Sequence, residues 1–370
     1  MKTFRCDNCG HPLFFENVQC LQCGSALAFL PDRLALCAIE PAPEQDLWQR
    51  KLPERRQPAG HYYRLCRNNV EHQACNFAVP QDDPNAFCAS CRQTRVLPDL
   101  SIPENTDRWY RIEVAKRRLF YSLARLGLVQ PCPPNGERDG PVFEFLADTP
   151  GNMVMTGHAG GVITLNVAEA DDSVREQVRA QMREPYRTLL GHFRHEIGHY
   201  YWDLLVAPHD DWLAGFRDLF GDERADYAQA LQAHYRNGPR ADWAANFVSS
   251  YAGAHPWEDW AETWAHYLHM TDTADTALSF GVNPLKVEVA QEDLFQPEDL
   301  WRSDDPQAAQ FLEFLNGWVR LTHVLNEFSR SMGQPDNYPF ALPHSVVRKL
   351  QFIHQLVAQQ REGSSHLEGR

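Results

Sequence analysis

Residues 192–201 read HFRHEIGHYY, within a stretch whose apolar residues recur at helical spacing until Pro208. On a helix, His195 and His199 project from one face, so both imidazoles can reach the same metal ion. Glu196 stands beside the first histidine, where it can hold an attacking water and take its proton. Gly198 lowers helix propensity by about 1 kcal/mol, which indicates that another element packs closely there. The stretch predicts a zinc-binding helix.

A third protein ligand is needed, because catalytic zinc sites of this type have three protein ligands and one open position. Residues 249–269, SSYAGAHPWEDWAETWAHYLH, supply two carboxylates four residues apart, Glu258 and Glu262, on one face of a predicted helix. Spacing alone leaves open which of them would bind the metal. The other would accept the second ring N–H of a ligand histidine. We expect His266 and His269 to be ordinary hydrogen-bonded helix histidines.

The cysteines predict two structural metal sites. Nine of the ten precede residue 100, and paired C-x-x-C knuckles bring four thiolates to one tetrahedral zinc. The predicted sets are, first, Cys6, Cys9, Cys20 and Cys23 and, second, Cys66, Cys75, Cys88 and Cys91. The second set is less regularly spaced, so knuckles could exchange between the sites, and iron is the alternative metal. Cys37 and Cys132 are expected to be buried small apolar residues.

Charge and hydropathy exclude several classes of function. The net charge of −14 lies entirely in residues 101–370, because residues 1–100 carry eleven acidic and eleven basic side chains. Nucleic-acid binding requires a basic face, so no nucleic-acid partner is expected. No apolar run is long enough for a membrane helix, and the start, MKTFRCDNCGHPLFF, lacks the apolar core of a secretory signal. We therefore expect a cytoplasmic protein without a membrane partner.

The sequence pattern changes near Leu100, from cysteine-rich segments typical of short strands to the periodicity of helices. We predict a zinc-ribbon region over 1–100, a second domain over 101–361 and a disordered tail over 362–370. GGVITLNV, residues 160–167, reads as a strand, and as the edge strand against which an extended peptide could pair. The main helices after it are predicted over residues 186–206, 211–236, 257–270, 306–331 and 343–361.

One pattern spans the second half of the chain, namely His195-Glu196-x-x-His199 followed by Tyr251-x6-Glu258-x-x-Ala261-Glu262. This pattern resembles the gluzincin metallopeptidases, in particular the toxin-type branch, in which a tyrosine precedes the ligand glutamate by seven residues. With the cysteine ribbon ahead of it, the whole chain resembles a bacterial family of zinc-binding metallopeptidases. The segments RWYRIEVAKRRL, HEIGHYYW and HPWEDWAETWAHYLH fit that family.

The resemblance implies a role for each site residue. Glu258 would be the third zinc ligand, and Glu262 would be the carboxylate that holds a ligand histidine. Tyr251 would donate a hydrogen bond to the oxyanion, a role that a phenol near the metal can perform. His255 competes for that donor role and ranks below Tyr251.

These observations predict an α+β protein, with a zinc-ribbon region followed by a mainly helical, gluzincin-like domain that contains a small sheet. The expected function is hydrolysis of a peptide or amide bond in a peptide or protein substrate, with one catalytic and two structural zinc ions. The alternative is a zinc-ribbon adaptor that binds a protein partner and whose metal domain is inactive or hydrolyses a non-peptide amide. An intact Glu196 argues against the adaptor, since a scaffold needs no base.

Overall fold

The cysteine-rich part of the chain is built on short antiparallel strands in the computed structural model, which describes residues 2–52, 60–130, 132, 140–182, 184–287 and 294–368, with side chains to residue 361. A hairpin of β1 (Phe4–Arg5) and β2 (Pro12–Leu13) precedes a five-stranded sheet. The strands of that sheet follow chain order: β3 (Ala26–Leu30), β4 (Ala35–Pro41), β5 (Trp48–Arg50), β6 (Tyr62–Leu65) and β7 (Ala78–Pro80). Alternate side chains of β3 and β4 enter one small core, which includes Cys37.

A second sheet and a long helix complete this part of the chain. The elements are α1 (Arg67–His72), β8 (Thr94–Val96), α2 (Pro103–Arg125), β9 (Val142–Leu146), β10 (Gly157–Ala159), β11 (Val162–Asn166) and α3 (Asp172–Met182). The strand order is β10-β11-β9-β8, and β9 runs parallel to both of its neighbours. Trp109 and Ile112 on the apolar face of α2 are fully buried, as its periodicity indicates.

The prediction that GGVITLNV forms the sheet edge is wrong. Its strand, β11, pairs on one side with β9 and on the other with β10, so both of its backbone edges are already hydrogen-bonded. The two edge strands are β8 and the three-residue β10, and the sequence did not mark β10 as a strand.

The described elements from Leu189 onward are helices and short turns. The helices are α4 (Leu189–Leu205), α5 (Asp210–Phe220), α6 (Tyr227–Asn237), α7 (Trp243–Asn246), α8 (Pro256–Ser279), α9 (Ala308–Ser331) and α10 (His344–Glu368). Strands near the start and helices after them confirm the predicted α+β class. None of the described helices combines the length and the apolar character needed to cross a membrane.

The helix predicted over 211–236 is two helices. Gly221 ends α5 with a φ of 105°, a backbone conformation that side-chain-bearing residues rarely adopt. A new helix then begins after Asp226, whose carboxylate accepts a hydrogen bond from the backbone N–H of Gln229. Helical periodicity continues across the break, so apolar spacing alone does not reveal it.

The chain divides into two compact units, Met1–Gln181 and Met182–Arg370. The first unit extends beyond the boundary predicted near Leu100, because α2 and the second sheet pack with the cysteine-rich strands. The whole predicted disordered tail, 362–370, lies outside the described side chains, and the described backbone of α10 continues to Glu368.

Helices α4 and α8 of the second unit pack closely at Gly198. A Cβ added at Gly198 of α4 would stand 3.0 Å from the Cα of Ala261 and 3.2 Å from the Cβ of Trp264, both on α8. The indole N–H of Trp260 donates to the carbonyl oxygen of Gly198 at 2.7 Å. This confirms the close packing that the sequence indicated at Gly198, and it brings the histidines of α4 beside the carboxylates of α8.

Candidate metal centres

Two histidines of α4 face one glutamate of α8. Helix α4 begins after Thr188, whose hydroxyl accepts a hydrogen bond from the N–H of Gly191. One helical turn separates His195 from His199, and their ring centroids are 5.1 Å apart. One ring nitrogen of each histidine and one carboxylate oxygen of Glu258 all lie within 4.8 Å of one another.

The donor set fits a zinc ion. Nε2 of His195 is 3.0 Å from Oε2 of Glu258, and Nε2 of His199 is 3.8 Å from Oε1 of the same residue. Ligand atoms of a tetrahedral zinc site stand about 3.3 Å apart, given metal–ligand bonds of about 2.0–2.1 Å. Because the Glu258 side chain is only 1% exposed, its charge needs compensation inside the protein.

Glu262 holds the other side of the His195 ring. Its Oε1 is 2.8 Å from Nδ1 of His195, and its Oε2 accepts a hydrogen bond of 2.6 Å from the hydroxyl of Ser249. A carboxylate on Nδ1 fixes the proton there and leaves Nε2 free to coordinate a metal. Ser249 was missed by the sequence reasoning, although it lies two residues before Tyr251 in the quoted segment.

The carboxylates dominate the electrostatics of this cluster. Burial alone would lower the pKa of His195, but hydrogen bonds to Glu258 and Glu262 outweigh it and raise the pKa well above its usual value. Burial would raise the pKa of Glu258, but the two histidines and Tyr227 lower it to about 2. The cluster therefore keeps a buried negative charge opposite imidazole nitrogens, as a cation site requires.

Two tyrosines border the cluster. The ring of Tyr251, the predicted oxyanion donor, is 6.0 Å from that of His195, and burial raises the pKa of its phenol so that it stays protonated. Tyr227, the first residue of α6, donates a hydrogen bond of 2.6 Å from its hydroxyl to Oε1 of Glu258. Sequence reasoning missed Tyr227, because nothing in DYAQAL marks it.

The remaining histidines have other partners. His255 caps α8: its Nδ1 accepts the backbone N–H of Trp257 at 3.1 Å, so its Nε2 carries the proton and donates to the carbonyl of Ala225 at 3.1 Å. With both ring nitrogens engaged, His255 is not placed to be an oxyanion donor. His266 contacts the hydroxyl of Tyr338 at 2.6 Å, and His269 hydrogen-bonds Arg194.

The first cysteine set is brought together in the ribbon. The Sγ atoms of Cys6 and Cys23 are 3.7 Å apart, and those of Cys9 and Cys20 are 3.6 Å apart. Sulfur ligands of a tetrahedral zinc stand about 3.8 Å apart, since Zn–S bonds are about 2.3 Å. The site lies between the β1–β2 hairpin and the turn that precedes β3.

The second set is also grouped as the sequence paired it, and all four of its cysteines are buried. The Sγ atoms of Cys75 and Cys88 are 3.8 Å apart. Backbone N–H groups point at the sulfurs, with Phe77 donating to Cys75 at 3.3 Å and Cys91 to Cys88 at 3.4 Å. Such N–H···S bonds support metal thiolates. Cys132 is only half-buried, which contradicts the prediction of a buried residue.

Arg117 of α2 supplies positive charge to the second set. Its guanidinium is nearly fully buried and donates to the carbonyl of Ala74 at 2.6 Å, next to Cys75. Burial alone would lower the pKa of Arg117, but interaction with the thiolates of Cys75 and Cys91 raises it. Four thiolates and one Zn²⁺ carry a net charge of about −2, so a buried cation beside them offsets part of that charge.

Comparisons with known proteins identify the family of this chain. A family model described as "Putative zinc-binding metallo-peptidase" matches residues 105–356, and one described as a zinc-ribbon domain matches residues 3–102. An uncharacterized protein of Mycobacterium tuberculosis (strain ATCC 25618 / H37Rv) is 44% identical over 357 residues, covering 96% of this chain and 95% of the relative. An uncharacterized protein of Mycobacterium bovis matches with the same values. No solved structure matches. The chain therefore belongs to the family that the first of these models describes, and its N-terminal region is a zinc-ribbon domain.

Proposed function

We propose that this protein is a zinc-dependent hydrolase of the gluzincin type that cleaves an amide bond in a peptide or protein substrate. The observation that carries the proposal is the convergence of His195, His199 and Glu258, whose ligand atoms lie within 4.8 Å of one another. Two histidines and one carboxylate form a three-ligand zinc set that leaves a position open for reaction.

Bound to these three side chains, zinc would supply a Lewis acid that acidifies water and polarises the scissile carbonyl. Glu196, between the two ligand histidines on α4, would take a proton from the attacking water and return it to the leaving amine. Tyr251, kept protonated by burial, would donate its phenolic hydrogen to the developing oxyanion. Glu262 and Ser249 would hold the His195 ring in its ligating orientation.

We propose three zinc ions in the complete protein, one at this site and one in each cysteine set. Sulfur separations of 3.6–3.8 Å in the two sets support the structural ions. Four-cysteine sites leave no position open for substrate, so they would stabilise the fold and take no part in hydrolysis.

Metal analysis by native mass spectrometry tests the proposal. We expect about three zinc ions in the wild type, about two in His195→Ala and about three in Glu196→Gln, because Glu196 would act on water and would not ligate. An unchanged zinc count in His195→Ala would exclude the site.

Activity measurements then separate an enzyme from an adaptor. A peptide library incubated with the protein should be cleaved by the wild type, and cleavage by Glu196→Gln should fall at least about 10²-fold, as expected for loss of a general base. Three bound zinc ions without turnover of any amide would favour the adaptor, in which the ribbon binds a protein partner.

A further inference from the structure

We propose that Tyr227 is a positioning residue for the zinc site, which fixes the orientation of the Glu258 carboxylate through its hydroxyl. This inference rests on the proposed function, because it concerns the ligand glutamate of that site. It assigns Tyr227 and Tyr251 separate tasks, the first acting on a ligand and the second on the reacting carbonyl.

The hydrogen bond determines which way the carboxylate faces. The terminal torsion of a glutamate is broad, so an unrestrained carboxylate samples many orientations. In this protein Tyr227 donates to Oε1 at 2.6 Å, while Oε2 lies 3.0 Å from Nε2 of His195. Holding one oxygen fixes the plane of the group and keeps the other oxygen directed at the ligand histidine. Metal affinity then benefits, since less freedom is lost on binding.

The tyrosine is itself held in place from two directions. Asp226 caps the first turn of α6 by accepting the N–H of Gln229 at 2.9 Å, which sets the start of the helix at Tyr227. His255 packs its ring edge-on against the Tyr227 ring, with centroids 5.2 Å apart. The hydroxyl therefore approaches Glu258 from a defined backbone position.

His255 also connects this tyrosine to the helix that carries Glu258. Its Nε2 donates to the carbonyl of Ala225, two residues before Tyr227, and its Nδ1 accepts the N–H of Trp257, one residue before Glu258. The loop leading to α6 and the first turn of α8 are thus joined through one buried imidazole. The donor and the acceptor of the key hydrogen bond are held by the same side chain.

The test is the zinc affinity of Tyr227→Phe, measured by competition with a chromophoric chelator on the full chain. Phenylalanine keeps the ring contacts with His255 and removes only the hydroxyl. We expect zinc at the His195/His199/Glu258 site to bind about 10- to 100-fold more weakly, the range typical of lost outer hydrogen bonds to ligands. Zinc in the two cysteine sets should be retained. At saturating zinc, kcat for peptide cleavage should return to near the wild-type value.

Two further variants make the result specific. Tyr110→Phe removes the hydroxyl of a tyrosine that is 41% exposed on α2 in the first compact unit, and zinc affinity should stay at the wild-type value. Tyr251→Phe should keep zinc affinity but lower kcat by about 10²–10³-fold, as for loss of an oxyanion donor.

Wild-type zinc affinity in Tyr227→Phe would overturn the inference. A lower kcat at saturating zinc with unchanged zinc affinity would also overturn the inference, because Tyr227 would then act on the substrate. These results are distinct from failure of the proposed function, in which His195→Ala retains all of the zinc bound by the wild type.

Discussion

The substitution Gly198→Ala tests whether the contact between α4 and α8 sets the geometry of the metal site. The new methyl carbon would stand 3.0 Å from the Cα of Ala261 and 3.2 Å from the Cβ of Trp264. Carbon atoms in favourable contact are about 3.5–4.0 Å apart, so the two helices would have to separate by a few tenths of an ångström. The obstacle at Ala261 is backbone, which has no rotamer to change.

Two opposing terms set the magnitude. Alanine in place of glycine favours a helix by about 1 kcal/mol, whereas overpacking of a tight interface costs about 1–3 kcal/mol. The unfolding free energy should therefore fall by about 0–2 kcal/mol. The separation of the helices would also draw His195 and His199 away from Glu258. Zinc affinity at this site should therefore drop by more than the loss of folded protein accounts for.

Urea unfolding followed by circular dichroism, together with chelator competition for zinc, measures both effects. Gly215→Ala is the matched control: on α5 its added Cβ would lie 3.0 Å from side-chain atoms of Phe352 and Trp301. That variant should lose stability within a similar range and keep wild-type zinc affinity. If Gly198→Ala is stabilised by about 1 kcal/mol, as propensity alone would give, and binds zinc normally, the reasoning about this contact is wrong.

Four other substitutions test the buried polar groups. Lys349→Met removes the partner of Asp259, which it contacts at 2.6 Å with both side chains buried; it should cost about 3–5 kcal/mol in urea unfolding. Adding Asp259→Asn should recover much of that loss, and no recovery would contradict the ion-pair account. Arg117→Leu should speed chelator removal of zinc from the second cysteine set and leave release from the first set unchanged, as followed by mass spectrometry. Release from the second set at the wild-type rate would exclude a charge role. Ser249→Ala should weaken zinc binding beside Glu262 by about 10-fold, and unchanged binding in a competition assay would show that the Ser249 hydrogen bond is dispensable.

Much of the site could be predicted because its chemistry lies within single elements. The i, i+4 spacing of His195 and His199 places both on one helix face whatever the rest of the chain does. The same holds for Glu258 and Glu262 on α8. Paired cysteine knuckles likewise require neighbouring residues to turn around one metal ion, so their grouping follows from spacing.

What the sequence left open depends on contacts between elements distant in the chain. Spacing could not distinguish the roles of Glu258 and Glu262. Those roles were assigned by the resemblance to gluzincins. In the structure, Glu258 lies opposite both imidazoles and Glu262 lies on Nδ1 of His195, because of how α8 crosses α4. Tyr227 left no periodic or motif signal, since it arrives from the start of α6.

The sequence by itself determined the helices that carry the histidines and carboxylates, the two cysteine sets and the α+β class, because those features follow from local spacing and periodicity. The tertiary structure alone decided the internal position of β11, the break at Gly221 and the capping role of His255. It also brought the hydroxyl of Tyr227 to Glu258 and the hydroxyl of Ser249 to Glu262. A hydrogen bond forms only when donor and acceptor come within about 3 Å, and between separate helices that distance is set by packing, as at Gly198.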